Sequence, residues 1–165
     1  MNIVRTNILD VTDGVIIHGC NCRGVYASGL AKQIARRYPQ AREVYMEYLR
    51  ARAQPWDIEA LLGDIVPAYV SKTLVIVNAF TQLNYGRQPG VQYVSPVAVQ
   101  AAFDTLCDRL DRAYVDPVFK HLHYPRIGGG LGGGDWGMIH TMIQLIQDRH
   151  PGLEFTFHDY DPKLA

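Results

Sequence analysis

The sequence has no excess of charge of either sign: sixteen Lys and Arg stand against sixteen Asp and Glu. With no uniform positive field there is nothing to hold a phosphate backbone, so bulk nucleic-acid binding is not expected. With no acidic surplus the chain does not read as a disordered or solvating tail. Cysteine is scarce as well. Cys20, Cys22 and Cys107 are odd in number and lack zinc-ligand spacing, which argues against a disulfide scaffold and a structural metal and points to a reducing compartment. There is no long hydrophobic run. The longest strongly apolar stretch, Leu74 to Val77, is far too short to span a bilayer, and Arg5, Asn7, Asp10 and Asp13 precede any run that would serve as a signal peptide. The expectation is a soluble, cytoplasmic protein with no membrane partner.

What is present suits a single domain, 1–165: the chain has 165 residues, of which 48% are hydrophobic, enough to bury one sizeable core. Short β-branched runs alternate with longer amphipathic stretches, the pattern of helices packed on a parallel or mixed sheet. Strands are expected at Asn2 to Arg5, Gly14 to His18, Asp64 to Tyr69, Leu74 to Asn78, His121 to Tyr124 and Glu154 to His158. Several are almost wholly apolar, as strands covered on both faces should be.

Four helices are expected between them. The first begins near Ser28 and ends before Pro39, and the second covers Ala41 to about Arg52. The third has Ser95 as N-cap and Pro96 at the first helical position, then Val99, Phe103, Leu106 and Leu110 on one face. The last follows Asp135 and presents Trp136, Ile139, Ile143 and Ile146. Thr81 to Val94 carries Asn84, Gly86, Pro89 and Gly90 and reads as an irregular surface loop, with Phe80 and Tyr85 as side chains suited to covering a ribose or a base. Gln54 to Gly63 is a second weak segment, and the tail from Asp159 to Ala165 is expected to fray.

Seven of the fifteen glycines fall between Gly128 and Gly137, after a strand and before a helix. A glycine-rich turn there exposes backbone N–H groups, and the following helix adds its positive end, so a diphosphate would be held without Lys or Arg. The tract contains G-x-G-x-x-G at Gly128, Gly130 and Gly133. In so glycine-rich a run that match is weak, and only one helix and one strand follow it, so a nicotinamide-dependent oxidoreductase ranks last. A second strand-to-helix turn, His18 to Ala31, repeats the logic with Gly24, Ser28 and Gly29. If the two strands are parallel neighbours, both turns flank one cleft.

Individual residues have plainer readings too. Asn21 is the type that tolerates a left-handed turn, or else an amide that holds a ribose hydroxyl. Asp135 is a helix cap, or else a carboxylate beside the ligand. His18 reads as a satisfied core imidazole, and Cys20 and Cys22 as small buried side chains. His121 and His123 share a strand face without a further ligand, so no metal is expected.

The segments HGCNCRGVYASGLAKQIARRYPQA and PRIGGGLGGGDW, in this order and at this separation, resemble the paired ligand loops of macrodomains, and the resemblance covers nearly the whole chain. The H-x-C-N-C opening and the following R-Y-P are most similar to the yeast ADP-ribose 1''-phosphate phosphatase type. Its wider branch includes terminal ADP-ribose glycohydrolase and the antitoxin that removes ADP-ribose from DNA. The resemblance implies a three-layer α/β fold, a mixed and largely parallel sheet between helices, with ADP-ribose or a derivative in the cleft and no cofactor. By analogy Asn7 and Ile8 lie near the adenine, and Ser28, Gly29 and Leu30 near the diphosphate. Asn21 lies near the distal ribose with Thr81 beside it, and Ile127, Gly128, Gly129, Gly130, Leu131 and Gly132 form the second loop.

The implied activity is hydrolysis of a 1'' substituent of the distal ribose, foremost a phosphate monoester, with water as nucleophile, Asn21 orienting the ribose and Asp135 positioning the water. The alternatives are an ADP-ribosyl hydrolase acting on protein, nucleic acid or O-acetyl-ADP-ribose, and a non-catalytic ADP-ribose reader; oligomeric state is left open. The chain departs from its relatives at three places. Asn7 stands where Asp is usual, the first loop Val25-Tyr26-Ala27-Ser28-Gly29 has fewer glycines, and Gln82 follows Thr81 where Lys-dependent hydrolases carry their lysine. Gln forms no Schiff base and supplies no cation.

Overall fold

Strands that are apolar at every position need cover on both faces, and this chain supplies it. The computed structural model describes residues 1–52 and 56–160. Six strands form one sheet: β1 (Asn2–Val4), β2 (Gly14–Asn21), β3 (Ile65–Tyr69), β4 (Leu74–Gln82), β5 (His121–Tyr124) and β6 (Glu154–His158). Their order is β1-β6-β5-β2-β4-β3. All neighbours run parallel except β3 against β4, so five strands end on the same edge. Helices α1 (Gly29–Arg37) and α2 (Pro39–Arg52) cover one face, and α3 (Pro96–Leu110) and α4 (Trp136–Arg149) cover the other.

The alternation of side chains along each strand divides the apolar runs between two cores. Val15 and Ile17 of β2, with Val75, Val77 and Ala79 of β4, pack against Val99, Phe103 and Leu106 of α3 and Ile139 and Ile143 of α4. Ile16 and Cys20, with Leu74, Ile76 and Phe80, pack against Ile34 of α1 and Ala41, Tyr45 and Leu49 of α2. The result is a three-layer α/β fold with a mixed, mostly parallel sheet. Among the described residues no helix is long and apolar enough to cross a membrane.

Two strands run further than their sequence suggests. β2 continues through Gly19 to Asn21, and β4 continues through Asn78 to Gln82. Gly19 is no strand breaker: a Cβ there would lie 2.6 Å from Thr81 Oγ1 on the neighbouring strand, so glycine permits the close approach. Asn78 is no strand end either, because its buried Nδ2 donates to Ala41 O at 2.9 Å. α2 begins at Pro39 rather than Ala41, since a proline in the first turn gives up only an N–H that has no helical partner. Of the two weak segments, residues 54, 55 and 161–165 lie outside the described residues; Ile58–Leu61 forms a short 3-10 turn.

Candidate functional site

β2 and β5 are parallel neighbours, with Val15 opposite Leu122 and Ile16 opposite His123. The turns that follow them therefore leave the sheet side by side, and between them lies a cleft of about 340 Å³, a volume suited to a small-molecule ligand. The first turn contributes Asn21, Val25, Tyr26, Ser28, Gly29 and Leu30, and the second contributes Ile127, Gly128, Gly130, Leu131 and Gly132. Thr81 and Gln82, from the end of β4, form a third side, and His18, Gly19 and Cys20 of β2 line the base.

The first turn is folded by the side chain of Asn21. Its Oδ1 accepts from the backbone N–H groups of Arg23 at 2.9 Å and Val25 at 3.2 Å, while its Nδ2 donates to Val25 O at 2.6 Å. Tyr45 of α2 donates to Asn21 O at 2.7 Å and accepts from Gly24 N at 3.1 Å. Among the described residues no residue other than glycine has positive φ, so Asn21 acts through its amide and not through a left-handed backbone. Ser28 then takes the cap position of α1 with extended backbone and no side-chain cap bond. The first N–H groups of α1 thus lack a side-chain partner at the cleft wall, an arrangement that suits an anion.

The second turn is built differently. Gly128 has φ +74°, and a Cβ on it would lie 2.5 Å from Val94; one on Gly132 would lie 2.8 Å from the Gly128 backbone, and one on Gly129 would lie 3.0 Å from Trp136. Gly132 O accepts from the N–H groups of Tyr93 at 2.8 Å and Val94 at 3.0 Å, which clamps the turn to the segment between β4 and α3. That segment leaves and returns at the paired residues Gln82 and Val94. Most of the glycine excess therefore serves close packing of the protein on itself. Gly130 is the exception, with open space where a Cβ would stand.

Beneath the cleft lies a buried polar network. Asn78 Nδ2 donates to Ala41 O and Val66 O, which turns Oδ1 toward Tyr26 and His18. Tyr26 donates its hydroxyl to that oxygen at 2.7 Å, and His18 Nε2 stands 2.9 Å from it. An amide oxygen only accepts, so the network assigns the imidazole proton to Nε2 and leaves Nδ1 bare. Burial lowers the His18 pKa to about 4, so the ring is neutral near pH 7. Burial also pushes the Cys20 thiol well up and the Cys22 thiol to about 11, so neither is a thiolate nucleophile.

Ten of the residues singled out in the sequence come together here: Asn21, Ser28, Gly29, Leu30, Thr81, Ile127, Gly128, Gly130, Leu131 and Gly132. Four do not line the cleft. Asn7 uses its Oδ1 to accept from Leu9 N at 3.0 Å, capping the 3-10 turn Ile8–Asp10, and Ile8 is buried in the α1–α2 core. Gly129 backs onto Trp136. Asp135 is exposed and accepts from Met138 N at 3.1 Å, so its carboxylate caps α4, and that helix start is not part of the cleft wall. Tyr85 lines the cleft, whereas Phe80 is buried and stacks on Tyr45. Sequence reasoning missed His18 and Tyr26 as lining groups, because mutual burial signals nothing in one dimension. It also missed Arg126, although a cation two residues before the glycine run was a visible signal.

No protein-family model matches the chain. An ADP-ribose 1''-phosphate phosphatase of Candida glabrata is 33% identical over 169 residues, covering 88% of this chain and 89% of that protein. A macrodomain protein from Streptomyces coelicolor superimposes with a TM-score of 0.74 at 25% identity, covering 97% of this chain and 99% of that one. A Thermosipho africanus DarTG protein solved with ADP-ribose has a TM-score of 0.75 at 12% identity, covering 98% of this chain and 41% of its own. A third of the residues shared along most of a curated relative, and one fold shared along nearly all of a solved macrodomain, place this chain in the macrodomain family.

Proposed function

We infer that the protein is an ADP-ribose-binding hydrolase, a single macrodomain that removes a substituent from the 1'' position of the distal ribose, with the 1''-phosphate monoester as substrate. The observation that carries this reading is the uncapped start of α1, Ser28 to Ala31, facing Gly130, the unobstructed glycine of the second turn, across a cleft of ligand size. A diphosphate set between them receives backbone N–H groups without a lysine. The phosphatase relative and the ADP-ribose complex of a structural neighbour support the same reading.

In this scheme Asn21 and Thr81 stand at the distal ribose. Water attacks phosphorus, the bond to the ribose oxygen breaks, that oxygen takes up the proton the water gives up, and ADP-ribose and inorganic phosphate leave. Backbone N–H groups offset the developing negative charge. Gln82, whose Nε2 donates to Asn84 O at 2.9 Å, occupies the place after Thr81. A lysine-dependent removal of ADP-ribose from a macromolecule therefore fits these residues less well than ester hydrolysis.

Phosphorus NMR of ADP-ribose 1''-phosphate incubated with the protein tests the reading. Growth of an inorganic phosphate signal is the expected result. Shifted or broadened diphosphate resonances without phosphate release would leave a reader, or an enzyme for another ADP-ribose conjugate. An unperturbed spectrum would overturn the ligand itself.

A further inference from the structure

Of the described side chains that line the cleft, Arg126 is the one guanidinium, and the scheme above does not use it. Its Nε and Nη2 both donate to one carboxylate oxygen of Asp159, at 2.8 and 2.5 Å. Asp159 is anchored in turn, its backbone N–H donating to Val4 O at 2.8 Å. One edge of the guanidinium is thus held by Asp159, and the side chain is 55% exposed. So exposed a pair adds little to stability. What the paired bonds do is orient the guanidinium plane at the cleft wall.

The position of that plane suggests its use. β5 lies between β2 and β6, so Arg126, just after β5, stands across the cleft from Thr81 and Gln82 at the end of β4. It lies toward β6 and β1, the side on which Asn7 and Ile8 follow β1. The aromatic side chains that line the cleft, Tyr26 and Tyr85, belong to the turns after β2 and β4. If the distal ribose occupies that end, the other end of the ligand meets Arg126.

We propose that Arg126, oriented by Asp159, is the specificity-determining platform on which the nucleobase of ADP-ribose stacks. The assignment rests on the reading of the cleft as an ADP-ribose site and extends it to the opposite end of the ligand. A guanidinium attracts the face of an aromatic ring and presents a flat surface of matching size. Fixing it beforehand lowers the entropic cost of ordering a long side chain upon binding. Asp159 is a positioning residue in this arrangement.

Calorimetric titration with two ligands tests it: ADP-ribose, and ribose 5-diphosphate, which lacks the nucleoside. Loss of a stacking partner costs about tenfold in affinity. Arg126→Ala is therefore expected to weaken ADP-ribose by about tenfold and ribose 5-diphosphate by less than about twofold. Arg126→Lys keeps the charge but not the plane and should behave like Arg126→Ala. Asp159→Asn should fall between wild type and Arg126→Ala in the ratio of the two affinities, a quantity that a merely structural contact would not move.

Equal losses for both ligands would place the guanidinium on the diphosphate and overturn the platform. So would full rescue by Arg126→Lys, or unchanged affinities throughout. Failure of the wild-type protein to bind ADP-ribose at all would overturn the functional reading together with this one, whereas normal wild-type binding with indifferent variants would overturn this one alone.

Discussion

The two strand-to-helix turns that flank the cleft look alike in sequence, each rich in small residues and each leading into a helix, yet they are built on opposite plans. The turn after β2 is held from within by Asn21 and leaves the start of α1 uncapped at the cleft. The turn after β5 is clamped from outside by Tyr93 and Val94, and its helix is capped by Asp135 away from the cleft. One therefore presents a helix terminus to a ligand and the other presents backbone. Glycine richness alone does not reveal which of the two a turn will do.

The comparison breaks most visibly at the glycines. Gly128→Ala puts a Cβ in a left-handed conformation against Val94 and should cost about 2–4 kcal/mol. Gly130→Ala, with open space around it, should stay within about 0.5 kcal/mol of wild type; urea denaturation of both variants checks the contrast. Gly130→Glu should abolish ADP-ribose binding in calorimetry while the denaturation midpoint stays put, because bulk and negative charge then meet the diphosphate.

Asn21→Ala removes the bonds that fold the first turn, so it should cost about 1–3 kcal/mol and weaken ADP-ribose binding as well. Normal stability in that variant would mean the turn holds its shape without the amide. Asp135→Ala is smaller in effect. As a cap it is worth about 1 kcal/mol, with turnover of ADP-ribose 1''-phosphate unchanged; loss of turnover at normal affinity would give the carboxylate a part in the chemistry.

Acid sharpens the comparison from below. The folded state holds His18, under the first turn, at about 4 through burial, against 6.5 when unfolded. The unfolded chain thus binds the proton more readily. This contribution to stability is present above about pH 6.5 and is lost as the pH falls toward 4. His123, held at about 3 by burial and by its neighbours His121 and His158, acts in the same direction. Denaturation midpoints measured from pH 7 down to pH 4 should fall steadily, and His18→Gln should flatten part of that slope.

Much of this architecture was legible in one dimension. Ser95 does cap α3, accepting from Ala98 N at 3.2 Å behind Pro96, because capping is local chemistry. The almost wholly apolar runs of β2 and β4 likewise announced cover on both faces of the sheet. What stayed hidden depended on partners distant in sequence: Gly19 is a glycine because of Thr81, Gly128 because of Val94, and the orientation of His18 comes from Asn78, fixed in turn by Ala41 and Val66. The site was legible as two loops. The division of labour between them was not, since it lies in which loop atoms already have partners.

The paired residues Gln82 and Val94 make the intervening stretch an excursion whose ends are already joined. At its tip Gly90 is exposed with nothing nearby, while Tyr85, five residues back, reaches the cleft wall. A guest domain spliced in at Gly90 would pay little closure entropy and would be tethered beside the ligand's entrance. Gly90 is thus the place in this excursion where an inserted reporter meets least of the fold.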